Sequence, residues 1–201
     1  MVKIISFEGC VGAGKTSLTN YFSYELKCEK VLEAYEKNPF LEDFYAKSDV
    51  ALETEITFLL IHFSQLKKAL SECKGNFILS DFSIEKDLVY AKLNLNEKEL
   101  KVFEQIYNYV ISKVGVPYAV IYLDLSLNIL RRRIFQRGRP YEINADPTYF
   151  KKYNDKVKEY FKKYTHSKVF FFNVDDLDLE PENKKLTQIR NKIMELIKND
   201  L

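Results

Sequence analysis

Cysteine is scarce in this sequence, and so is any excess of charge. The three cysteines, Cys10, Cys28 and Cys73, are an odd number without CxxC spacing, which argues against a disulfide framework or a zinc site and fits a reducing compartment. Against 29 acidic residues stand 31 basic ones, leaving +2, too little to draw the chain as a whole to nucleic acid or an anionic membrane. Glycine and proline are also few, at 6 and 5 of 201 residues, so neither a low-complexity linker nor a disordered tail is expected. No uninterrupted run of about 18 apolar residues offers a membrane span. The opening "MVKIISFEG" enters a strand-like run and lacks the long apolar core and small-residue cleavage site of a signal peptide. A cytoplasmic protein without a membrane partner is expected.

What the chain does have is enough apolar residues, 46%, to fill one sizeable core, so residues 1–201 are read as a single domain. β-rich runs at 2–8, 30–34, 76–80, 118–124 and 168–174 alternate with helical segments. "YAVIYLD" and "KVFFFNV" are nearly continuous apolar runs, the pattern of parallel strands covered on both faces. Phe103, Ile106, Tyr107, Val110 and Val114 form one helical face behind an Asn96–Glu99 start signal. Residues 52–70 are apolar around more of the helix circumference, as in a central helix or one buried against another subunit. Asp146–Pro147 marks another helix start, and Pro181 opens a last helix over 181–198. Together these predict an α/β fold with a parallel sheet flanked by helices.

The clearest chemical signal is "GCVGAGKT", residues 9–16, which satisfies GxxxxGK[ST] between an apolar strand and the helical "TSLTNYFSYEL". Glycines let the backbone turn around phosphates, the N–H groups and helix terminus favour anionic oxygens, and Lys15 neutralises them. Thr16 supplies a hydroxyl suited to Mg²⁺. The loop does not name the phosphoryl acceptor, because NTPases, GTPases and small-molecule kinases share it. The segment 173–176, "NVDD", does not reproduce the GTPase NKxD pattern.

Other strand ends narrow the chemistry. Glu33 falls near the end of the second strand run, where parallel sheets collect ligand-binding groups, and is either a general base or an exposed loop glutamate. Asp81 ends the third run and suits either a metal-bound water or the cap of the next helix. Glu55 and His62, seven residues apart, share a helix face, although a histidine inside "FLLIHF" can equally be a core residue. "NILRRRIFQRGRPYE" is strongly basic. Without a long positive surface or stacking platforms it does not indicate nucleic acid, whereas Arg133 and Arg137 on successive turns can converge on phosphates.

The glycine-rich loop, "LEAYEKNPFLEDFY", "SDFSIEKDLVYA" and "RRRIFQRGRPYE", in this order and spacing, resemble the deoxynucleoside kinase family over most of the chain. The resemblance implies a P-loop kinase fold with a five-stranded parallel sheet, an arginine-rich lid at about 133–146, and usually a homodimer. It implies transfer of the ATP γ-phosphoryl group, with Mg²⁺, to the 5′-hydroxyl of a deoxynucleoside in nucleotide salvage. Gly9, Gly12, Ala13, Gly14, Lys15, Thr16 and Ser17 would then hold the phosphates, Thr16 and Asp81 the metal, and Glu33 would be the general base. Arg133 and Arg137 would stabilise the moving phosphoryl group, Arg137 and Arg139 would contact ATP, and Asp175 would lie beside the adenine.

On the acceptor side, the resemblance places Tyr45 and Glu142 at the 3′-hydroxyl, and Glu55, His62 and Asp87 at the base. Phe82 departs from the pattern, which has an arginine there in contact with the substrate, and phenylalanine replaces neither its charge nor its donors. An ionised Glu55 only accepts hydrogen bonds, which suits guanine's N1–H and amino group and so favours a purine. The alternatives are a nucleoside monophosphate kinase related to thymidylate kinase and, from another class, a nucleotide-gated binding module. The first needs a further phosphate-binding arginine, and Phe82 removes one candidate for it.

Overall fold

The apolar run that opens the chain becomes β1 (Lys3–Gly9), whose alternate side chains enter two different cores. In the computed structural model, which describes residues 2–139 and 147–198, β1 is joined by β2 (Glu29–Val31), β3 (Phe77–Ser80), β4 (Ala119–Asp124) and β5 (Lys168–Asn173). All five strands are parallel, in the order β2-β3-β1-β4-β5. Ile5 and Phe7 face one side, where Phe22, Ile121, Ile189 and Ile193 complete a core. Ile4 faces the other, with Ile78, Leu59, Leu66, Phe103 and Val110. This is the period-2 alternation of a strand buried on both faces.

The helices are α1 (Lys15–Glu25), α2 (Leu41–Tyr45), α3 (Ala51–Glu72), α4 (Glu85–Asn94), α5 (Glu97–Val114), α6 (Leu127–Arg137), α7 (Pro147–Lys163) and α8 (Lys184–Lys198). The predicted start of α5 is present as a capping box: Asn96 Oδ1 accepts from Lys98 N at 3.0 Å and Glu99 N at 3.1 Å, and Glu99 Oε2 accepts from Asn96 N at 3.0 Å. Pro147 opens α7, while Asp146 lies outside the described residues. Among the described residues, no helix is long and apolar enough to cross a membrane, and all three cysteines are unpaired.

Four expectations change. β2 ends at Val31 instead of reaching residue 34, because side chains take over the main-chain bonds that follow. Gln65 Nε2 donates to Leu32 O at 2.6 Å, Glu33 N donates to Asp81 Oδ1 at 2.7 Å, and Ala34 N donates to Gln65 Oε1 at 3.3 Å. β5 is an edge strand only partly covered on its two faces: Phe170 and Phe172 pack against one core and Val169 against another, while Phe171 is 37% exposed. The last helix starts at Lys184, three residues past Pro181, because the Asn183 side chain accepts from Lys185 N at 3.0 Å and Leu186 N at 3.2 Å. In α3 this chain itself buries only one face, through Thr54, Glu55, Leu59, His62 and Leu66, which drops the central-helix alternative; Leu60, 50% exposed, lies on the outer side that the other alternative gives to a second subunit.

Candidate active site

The loop between β1 and α1 is fixed by steric demands that glycine alone meets. Gly9 has φ +141°, and a Cβ there would lie 2.4 Å from Leu123 O; Gly12 has φ +78°, and its Cβ would press on Arg133 Cβ at 3.2 Å. Lys15 folds over this loop and donates to Gly9 O at 2.9 Å and Cys10 O at 3.0 Å. Burial, followed by the nearby Lys86 ammonium, lowers the Lys15 pKa against the opposing pull of Glu8. Gly12, Gly14, Lys15, Thr16 and Ser17 line one end of a cavity of about 840 Å³. Ala13 lines a second one of about 300 Å³ with Leu177, Asp178 and Leu179.

At the end of β3, Asp81 joins two predicted groups. Its Oδ2 accepts from Thr16 Oγ1 at 2.6 Å and its Oδ1 from Glu33 N at 2.7 Å. The β1–β3 register, with Ser6 beside Ser80, brings this strand end next to the loop. Ligands gather at such carboxyl-terminal strand ends. Thr16 and Asp81 are hard oxygen donors side by side, and they fit Mg²⁺, which takes one or two protein oxygens and completes its shell with waters and phosphates.

Glu33, partly exposed to the cavity, is the centre of a charged chain whose other members, Lys86, His62 and Asp87, are buried. Lys86 Nζ donates to its Oε1 at 2.6 Å, and His62 Nε2 lies 3.1 Å from the same oxygen. The other imidazole nitrogen, Nδ1, meets both oxygens of Asp87, at 2.8 and 3.0 Å. Burial opposes the charge on His62, but the Asp87 carboxylate and the bond to Glu33 outweigh it and push the imidazole up to about 9. At neutral pH the ring is therefore the cation, and both nitrogens donate. Burial likewise opposes ionisation of Glu33, yet Lys86 and His62 hold its pKa well below the usual carboxylate value.

Glu55 lies farther along the cavity in a different electrostatic setting. Asn94 Nδ2 donates to its Oε1 at 2.7 Å and lies 3.3 Å from the Tyr149 hydroxyl. Burial pushes the Glu55 pKa up to about 8, aided by the Asp87 charge. The ionised Glu55 expected from sequence is thus corrected: at neutral pH it is mostly the carboxylic acid, a donor as well as an acceptor.

The remaining predicted residues divide. Arg133, Arg137 and Arg139 line the main cavity with Tyr45, Glu55 and Asp87. Arg133 is turned onto the phosphate loop, donating to Gly12 O at 3.3 Å, and to Val174 O at 3.1 Å. Arg139 lies 3.5 Å and Arg137 5.9 Å from the centre of the Tyr35 ring. Phe82 is not a cavity residue; it is fully buried beneath His62, ring centres 4.3 Å apart. His62 lines the cavity but is fully buried with both nitrogens engaged, so it is unsuited to the direct base reading expected of it. Asp175 lies away from both cavities, where its Oδ1 accepts from Ser126 N at 2.8 Å at the start of α6; residues 177–179 stand by the loop in its place. Glu142 and lid residues 140–146 lie outside the described residues.

Comparison with known proteins decides among the enzymes that share such a loop. A sequence profile of the family described as deoxynucleoside kinase matches residues 5–198. The chain belongs to the deoxynucleoside kinase family. Deoxyadenosine kinase from M. mycoides, solved with products dCMP and a flexible dCDP bound, is 26% identical with a TM-score of 0.82, covering 96% of this chain and 99% of its own. The same enzyme with bound dATP gives 26% identity and a TM-score of 0.80, covering 94% and 98%. Its dCTP-bound structure, at 24% identity and a TM-score of 0.74, covers 96% and 99% and supports the fold. No curated sequence matches the chain.

This deoxynucleoside kinase family member is a kinase that phosphorylates nucleosides. Around the predicted groups stand residues that sequence reasoning passed over. Lys86 sits in "SIEKD" and reads as surface charge; the only hint is its position one helical turn beyond the departing Phe82. Gln65, which holds both sides of Glu33, and Asn94, which meets Glu55, carry no motif. Glu8 is buried inside an apolar strand run and accepts from Ser83 N at 2.6 Å, tying the end of β1 to the segment after Asp81.

Proposed function

We propose that the protein transfers the γ-phosphoryl group of ATP to the 5′-hydroxyl of a deoxynucleoside whose pairing edge presents a ring-nitrogen acceptor beside an amino donor, as adenine and cytosine do. The observation that carries this reading is the Asp81 carboxylate touching Thr16 on the phosphate side and Glu33 on the acceptor side, within one cavity. Lys15 leaves the loop carbonyls for the phosphates, and Arg133, Arg137 and Arg139 contribute fixed positive charge to the transferring group. Glu33 is held ionised and accepts the hydroxyl proton. Thr16 and Asp81 would hold Mg²⁺, which supplies charge neutralisation to the phosphates when bound.

A protonated Glu55 offers one donor and one acceptor, which match N1 and N6 of adenine or N3 and N4 of cytosine as readily as O6 and N1–H of guanine, so the guanine preference read from an ionised carboxylate falls away. The M. mycoides deoxyadenosine kinase structures carry both adenine and cytosine nucleotides. Tyr45 lines the same cavity and would stand by the sugar, with Glu142 as its partner at the 3′-hydroxyl. Two further assignments go with this reading: nucleotide salvage in the cytoplasm, and a homodimer formed through the outer faces of α3 and α5. There Leu60, Val102 and Tyr109 are 50%, 47% and 58% exposed.

The test is a steady-state assay with ATP and Mg²⁺ over the four deoxynucleosides and their monophosphates, with Glu33→Gln as control. Deoxyadenosine and deoxycytidine should give monophosphate, and the variant should lose on the order of 10²- to 10⁴-fold in kcat. Product from a monophosphate but from no nucleoside would overturn the reading. Light scattering of the eluting protein checks the dimer.

A further inference from the structure

The chain from Asp81 to Asp87 places a lysine where its sequence gave no reason to expect one. Asp81 N donates to Val31 O at 3.2 Å, Ser83 N to Glu8 Oε1 at 2.6 Å, and Lys86 N to Ser83 O at 3.3 Å. These bonds fold the segment tightly against the ends of β1 and β2, so that Lys86, in the first turn of α4, points at Glu33. Its ammonium lies 2.6 Å from Glu33 Oε1, with side-chain exposures of 7% and 24%. The Phe82 ring supports it from 5.7 Å and also stacks on His62.

We infer that Lys86 is a positioning residue for phosphoryl transfer: together with His62 it grips Glu33 by Oε1 and leaves Oε2 to receive the acceptor's proton. Both donors converge on the same oxygen, and Oε2 has no hydrogen-bond partner among the described residues. A pair serving only the fold would gain little, because a buried ion pair is often matched in stability by well-packed apolar groups. This pair instead borders the cavity that Thr16 and Asp81 share. Lys86 also supplies cationic charge at the acceptor end, where Phe82 supplies none. The charged groups around it are Glu8 at the end of β1, Lys15 on α1, Glu33 after β2, Glu55 and His62 on α3, Asp81 after β3 and Asp87 on α4. Glu33, Glu8 and Asp87 favour the ammonium, and their combined pull exceeds the penalty of burial.

The inference rests on Glu33 being the general base, and the experiment separates the two. Full-length wild type, Lys86→Met, Lys86→Arg, Glu33→Gln and the Lys86→Met/Glu33→Gln pair are compared by circular dichroism and by kcat and KM at neutral pH with saturating ATP and Mg²⁺. Lys86→Met should lower kcat about 10- to 100-fold, with nucleoside KM changing less than about threefold, and should lower it hardly further in Glu33→Gln, because the lysine acts through that carboxylate. Lys86→Arg should restore most of kcat. A folded Lys86→Met with wild-type kcat, or one whose loss adds in full to that of Glu33→Gln, overturns the inference while leaving the kinase reading intact. A Glu33→Gln that keeps wild-type kcat overturns the base assignment on which the inference rests. If Lys86→Met does not fold, Lys86→Arg decides, and a kcat loss beyond about tenfold counts against the inference.

Discussion

The carboxylate of Asp81 accepts the main-chain N–H of Glu33 at 2.7 Å, across 48 residues of sequence. The side chain suited to the metal therefore also fixes the backbone from which the proposed base projects. Disturbing Asp81 should affect both partners at once.

Asp81→Asn keeps an acceptor for Glu33 N but removes the charge, so kcat should fall on the order of 10²-fold while nucleoside KM changes little and the Mg²⁺ requirement rises. Asp81→Ala also frees the Glu33 main chain and should cost about 1–3 kcal/mol of stability. Kinetics over a magnesium series and urea unfolding measure the two effects separately.

Base recognition should depend on a proton. Burial pushes Glu55 up to about 8, so the donor it offers is present at neutral pH and lost above that value. KM for deoxyadenosine and deoxycytidine should therefore rise above pH 8 in the wild type, in step with the Glu55 titration, and stay flat in Glu55→Gln. Equal profiles for the two proteins would remove Glu55 from base recognition.

Much of this site was legible because it lies on strand ends flanked by motifs. The loop with Lys15 and Thr16, Asp81 at the end of its apolar run, and the Glu55–His62 spacing all locate residues that line one cavity. The charge states were not legible. His62 and Glu55 share a face of α3, yet the former is driven towards its cation by Asp87 and the latter towards its neutral acid by burial. The first outcome depends on Asp87, 25 residues away, and the second on burial that prevails over the hydrogen bond from Asn94, 39 residues away, and no local pattern announces either. The continuous apolar run of β5 misled for a related reason: apolar character records what a strand can bury, while its place at the sheet margin decides what is covered.

Stability should fall in alkali through His62. Its folded pKa, about 9, stands above the usual 6.5, so the stabilisation is complete below 6.5 and is lost as pH rises through 9. The loss amounts to about 3 kcal/mol at most. Glu55 has the same sign between its usual 4.5 and about 8, so the comparison is made in Glu55→Gln. Asp87→Asn in that background should flatten the alkaline decline seen by urea unfolding.

Phe82 should behave as a structural residue. Phe82→Ala removes a fully buried ring beneath His62 and should cost about 3–5 kcal/mol. Phe82→Arg, although it restores the residue type suggested by family resemblance, would bury a guanidinium beside Lys86 and the charged His62. It should melt below Phe82→Leu and have lower kcat than wild type. Thermal melts and initial rates check both outcomes.

The margins of the sheet carry a consequence for behaviour in concentrated solution. An open strand edge is a template for another chain, and proteins blunt it by brevity or by lysine. β2 uses brevity, with three residues. β5 presents six, but Lys192 lies 4.6 Å over Phe170 and Lys162 5.7 Å over Phe171, so ammonium groups flank the edge on which a docking strand would have to pair. With a net charge of only +2, little general repulsion keeps molecules apart. Colloidal stability then falls to these few lysines, and acylating them should turn a well-behaved kinase into one that self-associates along β5.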